Sequence, residues 1–387
     1  MLITNAEERS MLAACRSLHL AGYDVTAASS TALAAAKWSR ACARRLRVTD
    51  ARDDAGRFVE QLGEELARRP YATLIAGSDS SLLAISRKRE RLQELTELGL
   101  PPRDVVERSL QREGLAAAAA QVGLAPAVSI RCKDVEQALD AGRRLGFPVV
   151  LKSPEAPSPS HGAVPSVPKG RTVASEADLA EAASAFHGEL LVQRWVKGDL
   201  VSFAGVLGGE RLLGVAVSRY RRMWRPDGGS VAFGETVAVP PKLQEMVRQL
   251  MVAIGWEGIF ELELIQLGPE DFMPIDLNPR PYGSMALASA AGVPLAAIWC
   301  DWLLGRNPRP VHALAGYRYR WEDADLRHLA WQLRRGNYRA AATTALPHRR
   351  VTHAHFQLSD PLPLLMRGLH LASKATTHGS TTRLRWR

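Results

Sequence analysis

The sequence predicts an α/β protein of two or three domains, and three observations predict it. Residues 1–105 alternate short apolar strands with helical runs, the pattern of a small parallel sheet covered by helices. Further strands and amphipathic helices follow as far as Ile275–Arg280, interrupted by one long Pro- and Ser-rich stretch. The last fifth of the chain is strongly basic and has helical periodicity.

Met1–Thr4 reads as a brief strand, Ala6–Ala21 as a helix ending at Gly22, and Val25–Ala28 as a second strand. Phe58–Arg69 has Leu62 and Leu66 spaced for one helix face, and Tyr71–Ala76 is a buried strand ending at Gly77-Ser78-Asp79, with a helix from Ser80. A dinucleotide site would need G-x-G-x-x-G after the first strand, and Thr4–Arg9 lacks it, which excludes NAD and FAD. A helix at Ala116–Val122 precedes a strand at Ala127–Ile130. The next helix carries Val135, Ala138 and Leu139 and is capped by Gly146. Phe147–Lys152 is a buried strand with a lysine at its end. Five prolines between Ser153 and Arg171 forbid a regular element there, as in a lid or a disordered loop. Leu190–Trp195 is a strand, Leu200–Leu207 and Leu212–Arg219 form a hairpin around Gly208-Gly209, and Leu243–Ile254 is an amphipathic helix capped by Gly255. One helix in the tail has Leu326, Leu329, Ala330 and Leu333 on one side; a shorter one carries Leu362, Leu365, Met366 and Leu369.

The chemistry concentrates in Phe260–Leu264 and Ile275–Arg280. Strand alternation puts Glu261, Glu263 and Ile265 on one side of the first segment and Asp276 and Asn278 on one side of the second. Gly268–Asp271 supplies turn residues, so the two pair as a hairpin that brings Glu263, Asp276 and Asn278 together. Two carboxylates and an amide oxygen suit Mg²⁺, which completes its shell with water and phosphate oxygens. Arg280 adds a fixed cation for a phosphate or carboxylate. An edge hairpin with its acidic side in water fits the spacing equally well.

Four scattered cysteines, Cys15, Cys42, Cys132 and Cys300, show neither metal nor disulfide spacing, and a reducing cytoplasm is the expectation. The start has neither a basic region nor an apolar run, so no signal peptide is expected. Residues 281–300 are uncharged and about long enough to span a bilayer, but Gly292-Val293-Pro294 divides them, predicting two buried helices. From Arg306 onward there are 15 Lys and Arg against 4 Asp and Glu, leaving 35 against 36 in the rest. The basic excess of the chain therefore lies in residues 306–387, which favours an acidic partner or an anionic membrane surface; a solvated tail fits the composition as well.

Taken in order, these motifs resemble the ATP-grasp superfamily, in particular its carboxylate–amine ligase and carbamoyl-phosphate-synthase-like branch. Gly146–Lys152 looks like the family's "GFPVVLKP" strand and Ile275–Arg280 like its "EVNPR" signature. The resemblance implies a Rossmann-like domain at 1–105 and an ATP-grasp domain at 106–305, with a small lid subdomain at 106–192 and a large one at 193–305. A basic, mostly helical extension at 306–387 follows. It implies that Lys152 and Arg112 neutralise nucleotide phosphates, that Gln193, Trp195 and Val196 read adenine at the hinge, and that Asp199 holds the ribose. It makes Glu263, Asp276 and Asn278 the ligands of one or two Mg²⁺ ions, with Mn²⁺ as a substitute, and prefers Glu263 to Glu261. Arg280 would contact the transferred phosphoryl group, and Arg219, Arg221 and Arg222, followed by Asp227-Gly228-Gly229, would form a basic loop facing substrate. The chain departs from the family in its phosphate loop, rich in proline rather than glycine, which implies either looser closure or reliance on His161 and Lys169, and in Asp276, where the family has glutamate.

The resemblance thus implies an ATP- and Mg²⁺-dependent ligase that joins a small-molecule carboxylate to an amine through an acyl phosphate. It is expected in the cytoplasm, with contact at the inner membrane face through the basic extension, and without a nucleic-acid partner. An ATP-grasp phosphotransferase and a non-catalytic module binding ATP or a polyanion are the alternatives.

Overall fold

Leu2–Ile3 lies inside a four-stranded parallel sheet whose order is Arg44–Arg47, Thr26–Ser29, Leu2–Ile3, Leu74–Ile75 in a computed structural model that describes residues 1–153, 170–186, 188–224 and 229–378. Helices Arg9–Leu20, Ala55–Arg68 and Asp79–Arg87 cover it. Arg44–Arg47 was not visible to hydropathy: it is an edge strand whose arginines are mostly exposed. The chain adds two strands to one side of Leu2–Ile3 and then crosses to the other, so the strand order reverses between Leu2–Ile3 and Leu74–Ile75. The carboxyl ends of those two strands leave a crevice there.

Residues 129–194 build a second sheet, antiparallel, in the order Ser129–Cys132, Leu190–Arg194, Val149–Lys152, Arg171–Val173. Helices Val135–Leu145 and Glu176–Ser184 close a separate small core over it, with Val149, Leu151, Leu179 and Val192 inside. The lid residues 154–169, with His161 and Lys169, lie outside the described residues, as do Asp227 and Gly228.

The third sheet positions the acidic hairpin. Its path is Phe272–Asn278, Gly258–Gln266, Asp199–Gly208, Arg211–Trp224, Ser230–Val237, Arg318–Arg320, Val351–His353, and Val311–His312 pairs separately with Arg211–Trp224. Helix Pro241–Ile254, ended by Gly255 in the left-handed conformation, packs on one side. Met285–Ala290 and Leu295–Leu303 pack on the other, separated at Gly292, as the broken apolar stretch predicted. Among the described residues no helix is long and apolar enough to cross a membrane. Two continuous cores join this sheet to the amino-terminal one: Leu2, Phe58 and Leu74 share a cluster with Phe203, Leu250 and Phe260, and Ile3 and Leu12 share another with Ile259 and Trp299.

Residues 306–378 are mostly helical but are joined to the large sheet. They hold helices Glu322–Arg334, Tyr338–Ala345 and Leu362–His378, but also three strands that pair into the large sheet. Helix Glu322–Arg334 is turned opposite to its leucine stripe: Leu326 is 66% and Leu333 47% exposed, while Asp325, His328 and Gln332 are buried. The reason is charge. Asp325 accepts two bonds from Arg222, both 2.9 Å, and lies 3.0 Å from Arg320, so the buried side of this helix neutralises arginines of the sheet. Asp360 likewise accepts from Arg16, Ser39 and the Arg40 backbone N–H of the first domain. Of the segment's own arginines, Arg306, Arg318, Arg320 and Arg367 lie beside Asp301, Glu235, Asp325 and Asp323.

Candidate active site

The hairpin forms in the expected register. Gly258–Gln266 and Phe272–Asn278 run antiparallel, with Glu263 opposite Asp276 and Glu261 opposite Asn278. A register shift follows Glu263, and the strand alternation before it keeps Glu261 and Glu263 on one face. The Tyr220 hydroxyl lies 3.3 Å from Oε1 of both, although one hydroxyl can donate to only one of them. Burial, and then the two carboxylates, push the Tyr220 pKa well above its ordinary value, which keeps its proton in place. Glu261 is buried. It accepts from Ser202 (2.7 Å) and from the Asn278 amide (3.1 Å), which fixes how Asn278 points. Sequence reasoning preferred Glu263 and passed over both Glu261 and Tyr220. The Arg219–Arg222 run drew attention to charge; alternation sets Tyr220 apart from Arg219 and Arg221 but does not say that its side faces the acids.

Lys152 ends its strand 94% buried, and its Nζ donates to the Ile275 carbonyl (3.1 Å), which brings the small sheet onto the acidic hairpin. Arg112, the first residue of helix Arg112–Gln121, bridges the same seam. Its Nη1 donates to the Ser153 carbonyl (2.7 Å), and its Nη2 is 3.2 Å from Asp276. Lys152, Arg112 and Asp276 thus meet at one place. Among the described residues no three His, Cys, Asp or Glu side chains lie close enough to hold a metal alone. Glu263 and Asp276, which face each other, and the Asn278 amide supply hard oxygens, with Asp276 beside Arg112 and Asn278 Oδ1 accepting from Arg280. This set fits Mg²⁺ completed by ligand oxygens.

Gln193 is buried at the end of Leu190–Arg194, whereas Trp195 is 41% exposed and so is not a core residue. Val196 is half-buried, and Asp199 is exposed, 3.6 Å from Arg219. Between them, a Cβ at Gly198 would overlap the Gln266 carbonyl, so the linker passes hard against the end of the hairpin. The three arginines expected in a substrate loop lie instead on the strand Arg211–Trp224. Arg222 is committed to Asp325, Arg221 lies 3.7 Å from Glu235, and Arg219 donates to Gln266 (3.2 Å). The strand continues beyond Arg219 because it pairs with Ser230–Val237, which the sequence reading left unassigned.

A cleft of about 260 Å³ opens between this hairpin and the strand-order reversal of the first sheet. Asn5, Arg9, Gly77, Ser78 and Asp79 line one wall, and Glu261, Glu263, Asn278 and Arg280 the other. Gly77 is required there, since a Cβ would fall 2.7 Å from the Thr4 carbonyl and 2.6 Å from Met11. Ser78 caps helix Asp79–Arg87 and shares a capping box with Ser81. Arg280 reaches across, donating to Asp79 Oδ2 (3.0 Å) and to Asn278 Oδ1 (3.3 Å). Burial opposes its charge, yet the facing Asp79 carboxylate raises its pKa and holds it protonated.

No family model matches the chain. The carbamoyl phosphate synthase large chain of Pyrobaculum aerophilum is 29% identical over 223 residues, which is 54% of this chain and 21% of that protein. That of Vibrio cholerae is 26% identical over 254 residues, 62% of this chain and 22% of that one. The chain therefore spans about a fifth of the length of the curated relatives it matches. Among solved structures, N5-carboxyaminoimidazole synthetase from Staphylococcus aureus superposes with a TM-score of 0.61 at 14% identity, covering 82% of this chain and 80% of that one. L-amino acid ligase from Bacillus licheniformis gives 0.59 at 14%, covering 78% and 73%. The biotin carboxylase domain of Hydrogenobacter thermophilus 2-oxoglutarate carboxylase, solved with MgADP, ADP and bicarbonate, gives 0.61 at 15%, covering 82% and 72%.

Proposed function

We propose that this chain, whose fold is that of the ATP-grasp superfamily, is an ATP-dependent ligase that joins a small-molecule carboxylate to an amine. The observation that carries the proposal is the meeting of Lys152, Arg112 and Asp276 beside Glu263 and Asn278, at the seam between the small and large sheets. Glu263, Asp276 and Asn278 would hold one or two Mg²⁺ ions, which when bound offset the charge of the β- and γ-phosphates. Lys152 and Arg112 would place positive charge beside the same phosphates, while Trp195 and Val196 on the linker, with Gln193 and Asp199 in the strands that flank it, lie where a nucleoside would rest.

A carboxylate and an amine do not condense at neutral pH, because an oxide is a poor leaving group. In the proposed path a carboxylate oxygen of the substrate attacks the γ-phosphorus and the bond to the bridging oxygen breaks. The electron pair leaves with ADP, and an acyl phosphate forms. The amine nitrogen then attacks the acyl carbon, the carbon–oxygen bond to phosphate breaks, phosphate leaves, and the surplus proton on nitrogen passes to solvent. The protein's part is positioning and charge neutralisation. Arg280, fixed by Asp79, borders the cleft where the acyl group would lie.

Calorimetry with MgATP tests the nucleotide half. The wild type should bind, and Lys152→Ala or Asp276→Ala should each weaken binding about tenfold or more while the fold is kept. A wild type giving no heat with MgATP would sink the proposal. Release of ADP upon addition of candidate acids and amines, with mass analysis of the product, tests the chemistry: an amide supports the ligase, and a stable phosphorylated product would make the chain a phosphotransferase.

A further inference from the structure

Three guanidiniums line the cleft, and their partners differ. Arg52 is 2.7 Å from Asp50, and Arg280 is held by Asp79, so both are neutralised by the protein. Arg9 has neutral partners among the described residues. Its Nε donates to the Gly283 carbonyl (2.9 Å), and its guanidinium carbon lies 3.6 Å over the Trp321 ring centroid. The Tyr319 hydroxyl donates to the same carbonyl (3.0 Å), fixing the acceptor. A Cβ at Gly283 would lie 2.7 Å from Arg9 Nε and overlap Nη2, so glycine at 283 leaves the room in which the guanidinium sits.

A guanidinium held by one N–H and one face keeps its remaining N–H groups for a ligand. Stacking on an indole orients the plane without neutralising the charge. Arg9 also begins helix Arg9–Leu20, whose free N–H groups add positive potential at that end. Glu8, exposed on the same wall, excludes a ligand that is anionic along its whole length.

From this we infer that Arg9 binds one anionic group, carboxylate or phosphate, of the small substrate occupying the cleft, and that Trp321 of the carboxyl-terminal segment positions it. The inference rests on the ligase reading, because it takes this cleft to be the substrate's place beside the nucleotide.

The test uses the full chain with MgADP present, so that the phosphate-binding seam is filled, and titrates succinate, inorganic phosphate and O-phosphoserine by calorimetry. At least one should bind the wild type, and which one binds separates carboxylate from phosphate recognition. Arg9→Gln should weaken it about tenfold or more, and Arg9→Lys, which keeps the charge but loses the planar fork, should restore part of that loss. Gly283→Ala, which displaces the guanidinium without removing it, should match Arg9→Gln. Equal affinity in Arg9→Gln and wild type, or no binding of any probe by wild type, overturns the inference. Heat on first adding MgADP is read separately: its absence counts against the ligase reading, whereas its presence with anion binding unmoved by Arg9→Gln counts against Arg9 alone. Circular dichroism of each variant identifies loss of fold, and Arg9→Lys then carries the comparison.

Discussion

Glu322 shows how one residue here can set a pH dependence. Burial would push its pKa up, but the His355 ring, the charge on that ring and backbone N–H groups outweigh burial and bring it down to about 2. The Phe356 and His355 amides donate to it at 2.7 and 3.0 Å. A carboxylate whose folded pKa lies below its unfolded value near 4.3 adds stability above that unfolded value and loses it as pH falls toward about 2. Glu322→Gln should therefore cost about 2–3 kcal/mol at neutral pH. The gap from wild type should close between about pH 4.5 and 2, as read from urea midpoints. An unchanged gap across that range would show that the carboxylate's charge is not what holds the segment. No sequence pattern marks Glu322, because its partners come from an irregular segment more than thirty residues away. The placement of Lys152 at a strand end and of Asp276 and Asn278 on the hairpin was legible because strand ends and alternation are local properties. Arg9 and Asp79 were not, since the cleft they line is built from two sheets that only the tertiary fold brings together.

At the level of elements, periodicity states which residues share a face, but not which face is buried. Helices Ala55–Arg68, Val135–Leu145 and Pro241–Ile254 bury their apolar stripes as expected. Helix Glu322–Arg334 does the reverse, because Arg222 and Arg320 beneath it need a counter-charge more than the leucines need cover. Asp325→Ala leaves those half-buried arginines without their carboxylate and should cost about 1–3 kcal/mol. Leu326→Ser, on the exposed side, should stay within about 0.5 kcal/mol. Denaturation midpoints compare the two; a large loss at Leu326 with little at Asp325 would mean that the helix packs by its leucines after all. Arg318–Arg320 and Val351–His353 were not legible as strands, since each is three residues of mixed polarity and forms only by pairing with an existing sheet edge.

For the molecule as a whole, the two shared cores make the first sheet and the large sheet one body, while the small sheet keeps its own core. Hydrogen exchange should therefore show strands Val149–Lys152 and Leu190–Arg194 slowing when MgATP binds, with Leu2–Ile3 and Phe203 protected throughout. Equal slowing in the first sheet would make that sheet, too, part of what the nucleotide orders. Asp360 adds an order of events. Arg16 meets its carboxylate 344 residues further along the chain, and Ser39 and Arg40 share it. During synthesis that surface of the first domain therefore stays unfinished until Asp360 has left the ribosome and can lock it shut.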